Sequence, residues 1–83
     1  MIPAATVPFD SSTTLDDDDM NALLTEAAEW HLIAQASVSS GDHDAARYAY
    51  RMREILARHI ATRSTLGFHE ARAHAIVRAR RLD

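Results

Sequence analysis

The sequence predicts an all-α protein, built as an antiparallel helical hairpin plus a third helix, with an extended N-terminal arm. Three observations lead to this prediction. The 83 residues include only 2 Gly and 2 Pro, which are too few for the many turns of an all-β protein. Apolar residues recur every three or four positions in three separate stretches. The first two stretches mirror each other about Gly41, as the two arms of a hairpin would.

The arm is predicted over residues 1–14, ahead of a single three-helix domain over residues 15–83. Both prolines and a Ser-Ser-Thr-Thr run fall within residues 1–14, and this composition is typical of an extended segment. The arm also carries Ile2, Val7 and Phe9. These apolar residues either fold back onto the helices or dock on a partner.

Helix one is predicted to begin between Thr14 and Asp16 and to run to about Ser39. The run from Asp16 to Asp19 places four carboxylates in the first turn, where they favour the positive end of the helix dipole. Thr14 and Asp17 also have the spacing of a near capping box. A helix start therefore explains the acidic run better than a calcium loop, which needs ligands spaced around a Gly turn.

The two later helices are bounded by turn residues. Gly41 suits the left-handed position after a helix, and Asp42 can cap the helix that follows. Helix two is predicted to run to about Arg63, where residues 64–67 break it. Helix three is predicted over residues 68–82.

The first two helices carry matching seams. In both, small and apolar residues alternate at spacings of four and three, the pattern of a coiled-coil-like pair. Folding the chain at Gly41 brings the two seams into register, which predicts an antiparallel hairpin. The seam residues are Met20, Leu24, Ala27, His31, Ala34 and Val38 in helix one, and Ala45, Ala49, Met52, Leu56, His59 and Arg63 in helix two. Three flanking pairs are expected to match in charge, namely Asp19 with Arg63, Glu29 with Arg53 and Glu26 with Arg58. Helix three is expected to pack on the residues that flank the seam: Leu23, Trp30, Tyr48 and Ile55.

Charge and hydrophobicity both indicate a partner surface. Residues 1–40 carry a formal charge of −7 and residues 41–83 carry +4, so the two halves either pair with each other or recognise another molecule. Of the 39 hydrophobic residues, 16 are alanine and only 23 are large, which is a thin core for a monomer. We therefore expect burial against a protein partner or a second copy.

The residues exclude several kinds of chemistry. The absence of Cys and Lys rules out disulfides, thiolate ligands, Cys nucleophiles and lysine Schiff bases. No phosphate loop, dinucleotide fingerprint or nucleophile motif occurs, and three short helices leave little room for a pocket. His69 and His74 are five residues apart and cannot share a helix face as metal ligands. We predict a protein that is not an enzyme and has no cofactor, metal or small-molecule substrate.

The sequence also carries expectations about location. Neither a secretory signal nor an apolar run of membrane-spanning length is present, so we expect a cytoplasmic protein that does not enter a membrane. The lysine-free, Ala- and Arg-rich composition indicates a GC-rich bacterial genome or a phage.

The leading functional hypothesis is a small non-catalytic interaction protein. It would dock helical surface onto a protein partner or onto itself, as an adaptor, an inhibitor or a subunit of an assembly. Five large apolar residues lie off the main stripes, and three arginines line one face of helix two as a charged rim. The predicted interface residues are Leu32, Ile33, Tyr50, Ile76, Val77, Arg47, Arg51 and Arg58.

Residues 27–56 resemble a single tetratricopeptide hairpin. The positions that carry the resemblance are Trp30, Ile33, Ala34, Gly41, Ala46 and Tyr50. The pattern departs at Ser37, where an aromatic residue is usual, and at Arg53, where a small residue is usual. No second repeat follows. The resemblance implies a protein- or peptide-binding role and supplies no catalytic residues.

A helix-turn-helix regulator is the alternative hypothesis. Helix two, residues 64–67 and helix three have the turn length and the Gly of that motif. Arginine is the commonest reader of guanine edges, although the acidic net charge weighs against DNA binding. The candidate nucleic-acid residues of segment 68–82 are His69, Arg72, Arg78, Arg80 and Arg81.

Overall fold

The computed structural model describes residues 15–82, and these residues form three helices in chain order. Helix α1 spans Asp17–Ser39, α2 spans His43–Thr62 and α3 spans Phe68–Leu82. The described residues contain no strand, which confirms the all-α prediction of a hairpin followed by a third helix. The predicted arm over residues 1–14 lies outside the described residues.

Helix α1 begins at the acidic run, with Asp16 as its N-cap and three further aspartates in its first turn. The Asp16 side chain caps the helix, since its Oδ1 accepts a hydrogen bond from the Asp19 backbone N–H at 2.7 Å. The backbone N–H of Leu15 donates to the carbonyl of Arg63 at 2.7 Å, which joins the start of α1 to the end of α2. The acidic run therefore has a structural role at the helix start, with Asp16 as the cap. Thr14, the other capping candidate, lies outside the described residues.

The turn between α1 and α2 uses the residues that the sequence indicated. Gly41 has φ of 82°, the left-handed conformation that glycine adopts without steric cost. Its N–H donates to the carbonyl of Val38, and the next N–H, from Asp42, donates to Ser37. The Asp42 side chain then accepts from the Ala45 N–H at 3.1 Å and caps α2.

The turn before α3 is held by two side chains. Ser64 donates its hydroxyl to the Ile60 carbonyl at 2.7 Å and accepts from the Leu66 N–H at 3.1 Å. Glu70 reaches back to accept from the Gly67 N–H at 3.0 Å, as the glutamate of a capping box does. These bonds fix the entry of α3 relative to the end of α2.

Small residues make up most of the described core. Of eleven buried apolar residues, nine are alanine, and Ile60 is the largest side chain that is fully buried. Alanine at a helix contact allows the helix axes to approach closely. It also contributes little apolar area, so larger side chains are left nearer the surface. The buried alanines are Ala27, Ala28, Ala34, Ala46, Ala49, Ala57, Ala71, Ala75 and Ala79.

The predicted seam of α1 is confirmed at four of its six positions, since Met20 is half-buried and Val38 is exposed, and the seam of α2 is shifted. Leu24, Ala27, His31 and Ala34 are all buried, as the spacing predicted. On α2 the buried set is Ala46, Ala49, Ala57 and Ile60, whereas the predicted Met52, Leu56 and His59 are only half-buried. The inward stripe of α2 is thus rotated by about one residue, because a row of alanines packs closer to α1 than a row of longer side chains can.

The expected position of α3 was wrong at Tyr48 and Ile55, whereas Leu23 packs against a buried cluster that includes Ala71 of α3. Tyr48 and Ile55, which were expected to hold α3, are 58% and 51% exposed. Helix α3 packs on the other side of the hairpin. There Arg78 hydrogen-bonds Asn21 and Thr25 of α1, and Arg72 hydrogen-bonds Glu54 of α2. Within residues 15–82, the side opposite α3 has no helix packed on it.

Candidate protein-interaction face

The side of the hairpin opposite α3 presents a row of residues from each helix, which we call the open face. Helix periodicity places it there. Trp30 lies about 180° around α1 from Asn21, which contacts α3, and Tyr48 lies about 120° around α2 from Glu54. The open face consists of Glu26, Trp30, Ile33 and Ser37 on α1, and Tyr48, Met52, Ile55 and His59 on α2.

The middle of the open face is apolar and largely accessible. Ile33, Tyr48 and Ile55 are about half exposed, at 47%, 58% and 51%, while Trp30 and Met52 are half-buried. The Trp30 and Tyr48 rings meet edge to face, with centroids 5.8 Å apart and planes at 77°. This aromatic pair joins the two helices across the face. Large apolar side chains grouped in this way are typical of a surface that contacts another protein.

The open face carries a second helical seam. The four α1 residues are spaced four, three and four apart, and the four α2 residues have the same spacing. This is the spacing by which helices pack knobs into holes. The spacing is visible in the sequence, but the sequence pattern assigns Trp30, Tyr48 and Ile55 to the packing of α3, and Met52 and His59 to the seam between α1 and α2. The signal that separates the two possibilities is the alanine stripe on the opposite side of each helix.

The two edges of the open face differ in charge. Helix α1 contains five acidic residues and no basic one, and Glu26 and Glu29 are exposed beside the apolar row. On the α2 edge, Arg47 and Arg51 border Tyr48 in an open surface depression. Arg47 also lies 3.6 Å from the Asp44 carboxylate in a well-exposed pair. The face therefore has one acidic and one basic edge.

Behind the open face, a polar network links the three helices. The Arg53 Nη1 donates to His31 Nδ1 at 2.8 Å and its Nε donates to Glu54 at 3.1 Å, while Arg72 donates to the other Glu54 oxygen at 3.3 Å. Because a guanidinium only donates, His31 Nδ1 must be unprotonated in this contact. Burial lowers the pKa of His31, and the charges of Arg53 and Arg80 lower it further. The network keeps His31 neutral and holds α2 against both neighbours.

Ion pairs differ from those that the charge pattern predicted. Within residues 15–82 the pairs are Arg47 with Asp44, Arg53 with Glu54 and Arg72 with Glu54. The predicted pairing of Arg53 with Glu29 does not form, since the rotation of α2 turns Arg53 inward to His31.

The predicted interface residues do not share one surface. Ile33 lies on the open face, and Arg47 and Arg51 lie along its basic edge. Leu32 and Ile76 instead line an open depression between α1 and α3. The structure therefore groups only the first three with the residues described above.

The remaining three predicted interface residues lie elsewhere. Tyr50 is half-buried, with its ring centroid 6.1 Å from that of His31. Val77 is 46% exposed on the outer side of α3. Arg58 lies with its guanidinium carbon 5.4 Å from the centre of the Phe68 ring. Tyr50 and Arg58 thus have contacts within the chain.

The candidate nucleic-acid residues are partly occupied by contacts within the chain. Arg72 bonds Glu54 and also His69, at 3.3 and 3.2 Å. Arg78 makes three hydrogen bonds to α1, which anchor α3 on the hairpin. Arg80 and Arg81 are exposed near the end of α3.

The described residues contain neither a metal site nor a membrane-spanning helix, and the chain has no detectable relative among the proteins compared. In residues 15–82, no three His, Asp or Glu side chains form a group that could hold a metal ion. None of the described helices is long and apolar enough to cross a membrane. Comparison with family models, with characterised proteins and with solved structures gives no significant match for this chain.

Proposed function

We propose that this chain is a small non-catalytic protein–protein interaction module that docks its open face onto a helical protein surface. One observation carries the proposal: nine of the eleven buried apolar residues are alanine, while Ile33, Tyr48 and Ile55 lie half exposed on one side. A chain with few large apolar residues gains most by burying them internally. Their grouping outside the core supports a role in contact with another protein.

The energetics favour docking through this face. Removing the remaining exposed area of one half-exposed large apolar side chain contributes about 1 kcal/mol. Three such residues, with Trp30 and Met52 beside them, supply the central apolar contact of an interface. The acidic and basic edges would set the orientation of the partner rather than add much affinity. An adaptor, an inhibitor and an assembly subunit would all use such a face.

The DNA-binding alternative has weaker support. A recognition helix needs its arginines free to reach bases and phosphates. Arg72 and Arg78 are instead engaged with Glu54 and with α1, and they hold α3 in place. A cytoplasmic location stays a prediction of the sequence.

Site-specific photo-crosslinking in the native host tests the proposal. A benzophenone amino acid replaces Tyr48 in the full chain, and a second variant carries it at Val77. The two positions are similarly exposed but lie on opposite sides of the molecule. We expect a protein adduct after irradiation from position 48 and none from position 77. Adducts from position 77 alone, or from neither position, would contradict the assignment of the open face.

A further inference from the structure

The open face is complementary to itself. We propose that a second copy of this chain occupies it, with the two copies related by a two-fold axis parallel to the helices. In this arrangement, α1 of each copy lies on α2 of the other, and the four helices form a bundle with both α3 helices outside. The inference rests on the proposed function, because it names the partner of the same face.

Charge selects this orientation from the two that a two-fold axis allows. Helix α1 has a formal charge of −5, and α2 has a formal charge of +2. An axis parallel to the helices places each α1 on the partner's α2, so that opposite charges meet. An axis perpendicular to the helices, within the interface, would place α1 on α1 and α2 on α2, so that helices of like charge would meet.

The spacing of the open face supports the same orientation. The His31–Arg53 hydrogen bond joins positions ten residues before and twelve residues after Gly41, so residues whose numbers sum to about 84 lie at about the same height along the hairpin. An axis parallel to the helices preserves that height. The α1 row therefore meets the partner's α2 row layer by layer. The four layers pair Glu26 with His59, Trp30 with Ile55, Ile33 with Met52 and Ser37 with Tyr48, with one residue of each pair from each copy.

The acidic and basic edges of the open face are also complementary between the two copies. Glu29 and Arg51 are both exposed on the outer edges that would face each other. Their heights along the bundle differ by four residues, or about 6 Å at 1.5 Å per residue. An arginine side chain spans that distance. Because the contact is isologous, each pair occurs twice, and the assembly closes as a dimer.

Sedimentation velocity of the full chain over a range of concentrations tests the apolar layers of the proposed dimer interface. We expect a dimer of the wild-type chain. The double variant Ile33→Glu/Ile55→Glu should weaken association by about tenfold or more, because it places charges in the apolar layers. Val77→Glu is the matched control, since Val77 is equally exposed on the outer side of α3. Circular dichroism should show unchanged helicity in each variant, because all three positions are exposed.

Charge reversal tests the orientation. Glu29→Arg and Arg51→Glu should each weaken the dimer, by about tenfold at low ionic strength, because each change alters two symmetric contacts. The double reversal should restore association to near the wild-type level. Failure of the double reversal to restore it would overturn the parallel-axis arrangement.

Three further outcomes separate this inference from the proposed function. A wild-type monomer at all concentrations would overturn self-association. If position 48 then crosslinked to a different protein, the docking function would still hold with another partner. An intrachain crosslink from position 48 to residues 1–14 would assign the face to that segment and overturn both proposals.

Discussion

Arg53 joins α2 to α1 and shares Glu54 with Arg72 of α3, so replacing it by methionine tests the polar network that links the helices. The Arg53 side chain is 11% exposed; it donates to His31 and Glu54, and its guanidinium carbon lies 4.9 Å from the centre of the Tyr50 ring. Methionine fills the space of the aliphatic stem and removes only the charged head. The stability lost in this variant is therefore mainly electrostatic.

The expected cost of Arg53→Met is about 2 kcal/mol. A hydrogen bond from a charged donor contributes about 1.5–3 kcal/mol. Glu54 loses one of its two arginines but keeps Arg72, and its side chain is 30% exposed, so this part adds at most about 1 kcal/mol. The variant no longer bears the desolvation penalty of a buried guanidinium, and this gain offsets part of the lost stability. For a chain of this size, the melting temperature should fall by about 10 °C.

The assay is thermal unfolding followed by circular dichroism at pH 7.5, with Arg47→Met as the matched control. Arg47 pairs with Asp44 at 3.6 Å, but its side chain is 73% exposed, so its loss should cost less than about 0.5 kcal/mol. Equal melting temperatures for the two variants would refute the assignment of Arg53 as the residue that joins the helices.

Three further predictions concern stability. The lowered pKa of His31 means that, below its ordinary value of 6.5, the unfolded chain takes up a proton that the folded chain resists. The free energy of unfolding in urea should therefore fall between pH 7.5 and 5.5, and His31→Gln should flatten that slope; an unchanged slope would contradict the role of the buried imidazole. Asp16→Ala should cost about 1 kcal/mol through loss of the helix cap, and Asp18→Ala only a few tenths, as compared by urea unfolding. Ala49→Leu should cost about 1–3 kcal/mol, because Ala49 is fully buried and the larger side chain must displace its neighbours, and a neutral effect on thermal unfolding would contradict close packing there.

Local features of the fold were predictable from the sequence because single residues determine them. Asp42 caps α2, and Gly41 has the left-handed conformation that its position after a helix predicted. Ser39 and Leu82 end their helices where the pattern placed those ends. Caps and turns depend on residues that are close together in the chain, so the sequence pattern predicts them.

The side on which α3 packs was not predictable by the same reasoning. Each helix of the hairpin carries two seams, one of small residues and one with larger residues such as Trp30 and Ile55. Periodicity alone favoured the larger residues as the contact for α3. The structure instead buries the alanine stripe, and Arg78 secures α3 through hydrogen bonds to residues more than fifty positions away. Such long-range polar contacts leave no periodic signal.

Disulfide trapping between two single-cysteine variants tests the central claim most directly, because the natural chain has no cysteine. Ile33→Cys and Met52→Cys chains are mixed under mild oxidation, so that any disulfide must join two molecules. The arrangement predicts that the mixed disulfide between positions 33 and 52 forms faster than either self-pairing, since only the mixed pair falls within bonding distance. Predominant pairing of position 33 with itself, or no mixed product above that of a Val77→Cys control, would contradict the packing of α1 on the partner's α2.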